Sequence, residues 1–203
     1  MSSFIGHSLA AWTIHKSIGF SPHKTPTKLD RLLWLGWLIL VAVAPDLDAF
    51  IPALHSSAHE GLRITHSLLS CQILPILTTL FLWIWGLRKR DLLIAGLQVS
   101  SIGFSQIILD LLVGVTPLPL LWPLSSQIFK LSFGVLPSAG KLHLSNYYLY
   151  YNLLIELGVL APLSYCTCRL SVAKQLTWGD RLTILFLILI SARFMYFAYG
   201  LSR

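Results

Sequence analysis

Charged residues are scarce in this chain of 203 residues, at 11% of the total against 55% that are hydrophobic. Since a soluble domain usually has about 25% charged residues, and mean hydropathy here is +0.72, the composition excludes a soluble protein. One helical crossing of a bilayer takes roughly 20 apolar residues. The length therefore predicts five or six crossings within a single membrane-embedded helical domain, residues 1–203.

Cysteine is also scarce, with only Cys71, Cys166 and Cys168 in the chain. All three lie inside or at the end of hydrophobic runs, so they do not form the disulfide framework of a secreted domain. Cys166 and Cys168 are too close together for an ordinary zinc knuckle and have no histidine nearby. We interpret the three as structural thiols.

Several functional signatures are missing. The apolar stretch at the start of the sequence lacks a basic leader and contains His7, His15 and Lys16, so we expect a retained first helix rather than a cleaved signal peptide. The chain has no nucleophile elbow and no Ser-His-Asp pattern. It also lacks paired broken helices and two-half symmetry, which disfavours a transporter.

Long hydrophobic runs are what the sequence does contain. They predict an all-α fold, a polytopic transmembrane helical bundle of about six membrane helices, with five crossings and one interfacial helix as the alternative. The predicted helices cover residues 4–20, 31–44, 65–87, 91–113, 147–169 and 181–201. The proline-rich segment 114–146 predicts an ordered surface loop or a re-entrant cap.

The net charge of +7 comes from short basic clusters between the runs, a pattern that excludes a nucleic-acid partner and indicates membrane topology. The positive-inside rule then puts the basic linkers in the cytoplasm and both termini on the non-cytoplasmic side of the cell membrane. The linker residues are Lys24, Lys28, Arg31, Arg88, Lys89, Arg90, Arg169, Lys174 and Arg181.

The same topology gathers histidines and carboxylates near the non-cytoplasmic face. The predicted metal ligands are His7, Asp46, Asp48, His66 and Asp110, with His59 as a further candidate. Imidazole and carboxylate together suit a divalent transition metal, zinc first and manganese or iron(II) as alternatives. Such an ion activates water for ester or phosphoester hydrolysis. Asp48 and Gln106 are the candidates for a catalytic role. Gln106 lies one helical turn before Asp110 and can therefore orient it.

Five sequence features carry a family resemblance: His7, Pro45-Asp46-Leu47-Asp48, Thr65-His66-Ser67, Gln106 with Asp110, and Leu120-Leu121-Trp122-Pro123. In these, over roughly residues 5–123, the chain resembles the bacterial membrane-bound metal-dependent hydrolases of the YdjM type. The resemblance implies a multi-pass protein of the bacterial cytoplasmic membrane that acts on a lipid-like ester or phosphoester substrate. The chain departs from the family pattern in two places: two extra residues separate His59 from His66, and Gln106 replaces a histidine.

Two further hypotheses remain, one on function and one on the last two helices. Because Gln106 replaces a histidine, the chain could instead be a catalytically degenerate membrane scaffold or binding protein without tightly bound metal. Glu156 and Arg193 fall at equal depth in the last two predicted helices, and since a lone charge is costly there, an ion pair between them is predicted. The sequence does not identify a protein partner.

Overall fold

The computed structural model describes residues 2–22, 26–51, 63–114, 117–138, 145–173 and 175–201. Its six α-helices in these ranges are α1 Phe4–Ile18, α2 Lys28–Val43, α3 Leu68–Ile84, α4 Lys89–Val113, α5 Tyr147–Val172 and α6 Trp178–Tyr199. Two 3₁₀ segments, Ala44–Phe50 and Ile64–His66, follow α2 and precede α3. The described residues form no strand beyond an isolated bridge between Leu118 and Phe129, so the all-α prediction is confirmed.

The outer helices are suited to lipid. Three of the six helices in the described ranges are long and apolar enough to cross a membrane: α4 with 25 residues, α5 with 26 and α6 with 22. The 17 residues of α3 are apolar as well, though fewer than a full crossing takes. Leu182 and Phe186 of α6 are 62% and 63% exposed, part of an apolar surface that water would not stabilise. The chain is therefore a helical membrane bundle.

Capping residues explain where α2 and α6 begin. Thr27 accepts a hydrogen bond from the backbone of Asp30, and the Asp30 side chain accepts one from the backbone of Thr27. Thr177 and Asp180 form the same capping box ahead of α6. Each box pairs two backbone groups that a helix end leaves open, so both helices begin three residues before their predicted starts.

The chain is 3₁₀ rather than α-helical directly after α2 and directly before α3. The hydroxyl of Ser67 accepts from the Ser70 amide and caps α3, so Thr65 and His66 precede that helix instead of opening it. Pro45 begins the turn that follows α2, where its missing N–H costs no hydrogen bond. Asp46, Asp48 and His66 therefore lie on tight turns that aim their side chains into the bundle.

Helix α1 is central, packed against α2, α4 and α5, while α3 packs on α4 and α6 on α5. Ala11, Leu38 and Val99 are fully buried where α1, α2 and α4 meet. Val113 and Val159 are buried between α4 and α5, toward the other end of the bundle. All three cysteines are free, as predicted.

Gly103 allows α3 and α4 to approach closely. A Cβ atom at this position would lie 2.5 Å from the carbonyl oxygen of Cys71, a backbone atom that cannot rotate away. We expect Gly103→Ala to destabilise the protein by about 1–3 kcal/mol, as overpacking does, and to lower its thermal midpoint in detergent. Gly36→Ala is the matched control, since nothing lies within 4 Å of its added Cβ. Equal midpoints for the two variants would contradict this account of the packing.

The segment 117–138 is an ordered cap over one end of the bundle. The amide of Leu68, at the start of α3, donates to the carbonyl of Leu120 at 3.0 Å. The amide of Val135 donates to the carbonyl of Leu112, near the end of α4, at 2.8 Å. The prediction of an ordered loop is confirmed for these residues.

Candidate metal centre

Four buried side chains from four parts of the chain meet beneath this cap. His7 comes from the first turns of α1, Asp46 from the 3₁₀ segment after α2, His66 from the one before α3, and Asp110 from the last turn of α4. None is more than 2% exposed. We call these four residues the His/Asp cluster.

The two imidazoles face the same two carboxylates. Nε2 of His7 lies 3.3 Å from Oδ2 of Asp46 and 3.6 Å from Oδ1 of Asp110. Nε2 of His66 lies 3.0 Å from Oδ1 of Asp46 and 3.3 Å from Oδ2 of Asp110. Each carboxylate therefore offers one oxygen to each histidine, and the four groups surround a common centre.

Thr65 determines which nitrogen of His66 carries the proton. Its hydroxyl donates to Oδ2 of Asp48 at 2.7 Å, so its oxygen is left to accept from Nδ1 of His66, 3.0 Å away. A neutral imidazole protonated at Nδ1 has a lone pair on Nε2. In the neutral ring the lone pair on Nε2 would point toward the carboxylates of the cluster, and the 3.0 Å contact of Nε2 with Oδ1 of Asp46 is a hydrogen bond only when the ring carries a second proton.

Asp48 lies behind His66. The sequence put it among the ligands and catalytic groups, but its carboxylate is engaged by Nε of Arg63 at 3.0 Å, by a second guanidinium nitrogen of Arg63, and by Thr65. It comes no closer than 4.0 Å to Nδ1 of His66. Burial by itself would raise the pKa of the Asp48 carboxyl, but the hydrogen bonds from Arg63 and Thr65 hold it below its usual value. The carboxylate stays charged and orients His66 through Thr65.

Gln106 contacts the cluster through Asp110. Its side chain is fully buried, and Nε2 donates to Oδ2 of Asp110 at 3.3 Å, which is the contact that their spacing predicts. Oε1 of Gln106 has no hydrogen-bond partner among the described residues. This buried acceptor is available to a molecule bound beside Asp110.

Glu156 is a site neighbour that the sequence did not reveal. It is 1% exposed and accepts from the Ser2 hydroxyl and from the Ser3 amide, while the Ser2 amide donates to Oδ1 of Asp110 at 2.9 Å. The predicted ion pair with Arg193 is wrong, since Arg193 is exposed and its guanidinium lies 4.3 Å from the ring centroid of Phe197. Glu156 turns inward because Ser2 and Ser3 supply donors there, and the exposed Arg193 has an aromatic partner of its own.

Other predicted candidates do not join the cluster. His59 lies outside the described residues, as do the neighbouring loop residues His55 and Glu60. His15 lies eight residues along α1 from His7, about 12 Å away at 1.5 Å per residue, as predicted. It contacts Gln98 at the opposite end of the bundle.

The cluster has a composition that could hold a metal ion. One ligand atom each from His7, Asp46 and Asp110 lies within 4.8 Å of the others, and His66 adds a second imidazole nitrogen. Neither ring nitrogen of His7 makes a hydrogen bond in the described part of the chain, although Nε2 is near both carboxylates. Buried polar atoms are rarely left so, and a cation held by the two carboxylates would satisfy Nε2. The donors present therefore fit a metal ion.

Comparison with known proteins identifies a family. A family model described as YdjM inner membrane protein matches residues 1–200, a range that contains the whole His/Asp cluster, the cap and Glu156. Comparisons with the curated proteins and with the solved structures find no match. The chain is thus similar to a family of membrane proteins over nearly its full length.

Proposed function

Because this chain belongs to the YdjM family of inner membrane proteins, we propose that it is a membrane-embedded metal-dependent hydrolase with the His/Asp cluster as its metal centre. The observation that carries the proposal is the direction of the His66 lone pair. Thr65 holds the proton on Nδ1, so Nε2 presents electrons to Asp46 and Asp110, which are electron-rich themselves.

This arrangement requires a positive charge at the centre. Two carboxylates within 3.3 Å of an unprotonated nitrogen repel it, and burial strengthens the repulsion because little water is present to screen it. A second proton on His66 would relieve the repulsion, and so would a metal ion. A metal ion would also satisfy His7, whose Nε2 faces the same carboxylates without a hydrogen bond among the described residues.

The donor set favours zinc, with manganese or iron(II) as alternatives. Two imidazole nitrogens and two carboxylate oxygens suit these ions, whereas magnesium and calcium are bound mainly by oxygen. A histidine ligand usually donates its other ring N–H to a neighbouring oxygen, and His66 does so to Thr65. Asp48 accepts a hydrogen bond from Thr65 and is itself held by Arg63.

A bound zinc ion lowers the pKa of water toward 7 and polarises an ester or phosphoester oxygen. The protein's own groups orient the reactants. Gln106 fixes one oxygen of Asp110 and keeps a free acceptor for the hydrogen of water or of a substrate hydroxyl. Asp48 prevents His66 from rotating, acting through Thr65.

The distribution of basic residues supports one orientation in the membrane. The cluster lies where α1 and α3 begin and where α2 and α4 end, and Arg31, Arg88 and Arg169 lie at the other ends of these helices and of α5. Under the positive-inside rule the cluster faces the non-cytoplasmic side of a bacterial cytoplasmic membrane. A site at headgroup depth suits a lipid-like substrate with an ester or phosphoester bond.

Metal reconstitution tests the proposal. Protein in lipid nanodiscs would be stripped with a chelator, reloaded with zinc or manganese, and assayed with bis(p-nitrophenyl) phosphate and p-nitrophenyl acetate. We expect hydrolysis to return on loading in the wild type and to stay at background in Asp110→Asn. A folded wild type that binds no metal above background would overturn the proposal and favour the second candidate, a degenerate scaffold, for which the amide of Gln106 is the supporting observation.

Thr65→Val tests the support of His66. Valine keeps the shape of threonine but cannot relay between His66 and Asp48, and losing such a partner typically weakens metal binding by about 10–100-fold. We expect a loss of that size in zinc affinity, measured by competition with a chromophoric chelator, and recovery in Thr65→Ser. Wild-type affinity in the valine variant would show that the relay has no role.

A further inference from the structure

A polar pocket lies at the far end of the bundle from the His/Asp cluster. It occupies 380 Å³ at the turn between α1 and α2. The residues that line it are His15, Lys16, Gly19, Phe20, Ser21, Pro26 and Arg31. None of these seven residues is acidic.

Buried partners make His15 a hydrogen-bond donor toward this pocket. Nε1 of Trp34 donates to Oε1 of Gln98 at 2.9 Å, which fixes the amide with its nitrogen toward His15. That nitrogen lies 3.4 Å from Nδ1 of His15, which must accept. The neutral His15 ring therefore carries its proton on Nε2. Gln98 is fully buried, so the orientation does not depend on solvent.

The other polar groups of the pocket are donors as well. The side chains of Lys16 and Arg31 are exposed and make no ion pair or hydrogen bond within the described residues. Oγ of Ser21 is buried without a hydrogen-bond partner there. The nearest carboxylate along α2, that of Asp30, accepts from the amide and hydroxyl of Thr27 as part of the helix cap. The two cations and the neutral donors His15 and Ser21 therefore suit an anion with several oxygen atoms.

An apolar groove adjoins the pocket. It occupies 560 Å³ between α2 and α3. Its lining includes Leu33, Trp34, Trp37, Leu77, Phe81 and Trp85. Pro22 and Asp30 line the groove and their chain neighbours Ser21 and Arg31 line the pocket, so the two cavities share a wall. The groove extends along α3 as far as Leu74, toward the middle of the bundle.

We propose that the pocket and groove together bind one anionic phospholipid, its phosphate among Lys16, Arg31, His15 and Ser21 and an acyl chain in the groove. Basic pockets between membrane helices suit such headgroups, since each cation contributes by attraction to the phosphate. A free phosphate would leave the aromatic groove unfilled. The site does not depend on the metal centre, which lies across the bundle.

Native mass spectrometry of delipidated protein tests this proposal, with phosphatidylglycerol and phosphatidylcholine of identical acyl chains as probes. We expect the wild type to retain one phosphatidylglycerol in preference to phosphatidylcholine. The double variant Lys16→Gln/Arg31→Gln should lose about 10–30-fold in affinity for phosphatidylglycerol, since two cations at the headgroup level are removed. Its affinity for phosphatidylcholine should not change.

Arg181→Gln is the matched control. Arg181 carries the same charge, but it stacks on Trp178 at the start of α6, away from the pocket. An equal loss of affinity for phosphatidylglycerol in this variant would show that any positive surface charge has the same effect, and it would overturn the proposal. Displacement of phosphatidylglycerol by millimolar inorganic phosphate would also overturn it, because the groove would then contribute nothing. Wild-type binding by the double variant would exclude the pocket.

Discussion

Asp46→Asn is expected to weaken zinc binding more than 100-fold. Asp46 is the carboxylate nearest to both imidazoles, with one oxygen 3.3 Å from His7 and the other 3.0 Å from His66. Even residues that only support a ligand typically contribute about 10–100-fold to metal affinity, so removing a charged ligand should cost more. The same reasoning applies to His66→Ala. Elemental analysis of purified protein and competition with a chelator measure both losses.

Asp91→Asn is the control for this experiment. It removes one carboxylate from the first turn of α4, at the other end of that helix from Asp110, where the side chain is exposed. We expect it to keep the wild-type metal content of about one ion per chain. If Asp46→Asn and Asp91→Asn bound zinc equally well, the His/Asp cluster would not be the metal centre.

Arg63→Met is expected to destabilise the protein by about 3–5 kcal/mol. Arg63 and Asp48 are 9% and 3% exposed, so removing the cation leaves a buried carboxylate without its partner. Thermal unfolding in detergent at neutral pH would detect the loss. The double variant Arg63→Met/Asp48→Leu should recover most of it, because no unpaired charge remains. A double variant no more stable than Arg63→Met would contradict this reasoning.

The effect of Arg63→Met should also depend on pH. The folded pKa of Asp48 is below its usual 3.8, so the Arg63 contact contributes its full stability above that value and loses it as the pH falls through the folded pKa. Without Arg63, burial raises the pKa of Asp48, and acid neutralises the unpaired carboxylate. The stability difference between wild type and variant should therefore be largest near neutral pH, and it should shrink as the pH falls through the raised pKa of Asp48 in the variant and then through its lowered pKa in the wild type. A difference independent of pH would show that Asp48 is not the group concerned.

The fold was predictable because hydrophobic runs dominate this chain. Each predicted helix overlaps an observed one, and the remaining errors are at the ends, where local capping decides. Thr27 and Thr177 with aspartate three residues later are recognisable caps that extend α2 and α6. The 3₁₀ turn at His66 depends on tertiary contacts that helix periodicity does not report.

The candidate site was predictable only in part. Antiparallel helices bring His7, Asp46, His66 and Asp110 to one end of the bundle, and that topology follows from the sequence. The neighbours of Asp48 do not follow, because Arg63 and Thr65 reach it only once both 3₁₀ turns have formed. Depth in a helix likewise did not show which side Glu156 faces. It pairs with Ser2, which is 154 positions away in the chain.

The spread of the cluster along the chain has a consequence for biogenesis. The amide of Ser2 donates to Asp110 across 108 positions, so the two cannot meet until α4 has been synthesised. At about 5–20 residues per second, ribosomes take on the order of 5–20 seconds to cover that distance. During this interval Asp46 and His66 must reach the membrane without Asp110. The tight turns at Pro45 and Ser67 place them at helix ends, where a polar side chain can stay near water until the fourth helix inserts.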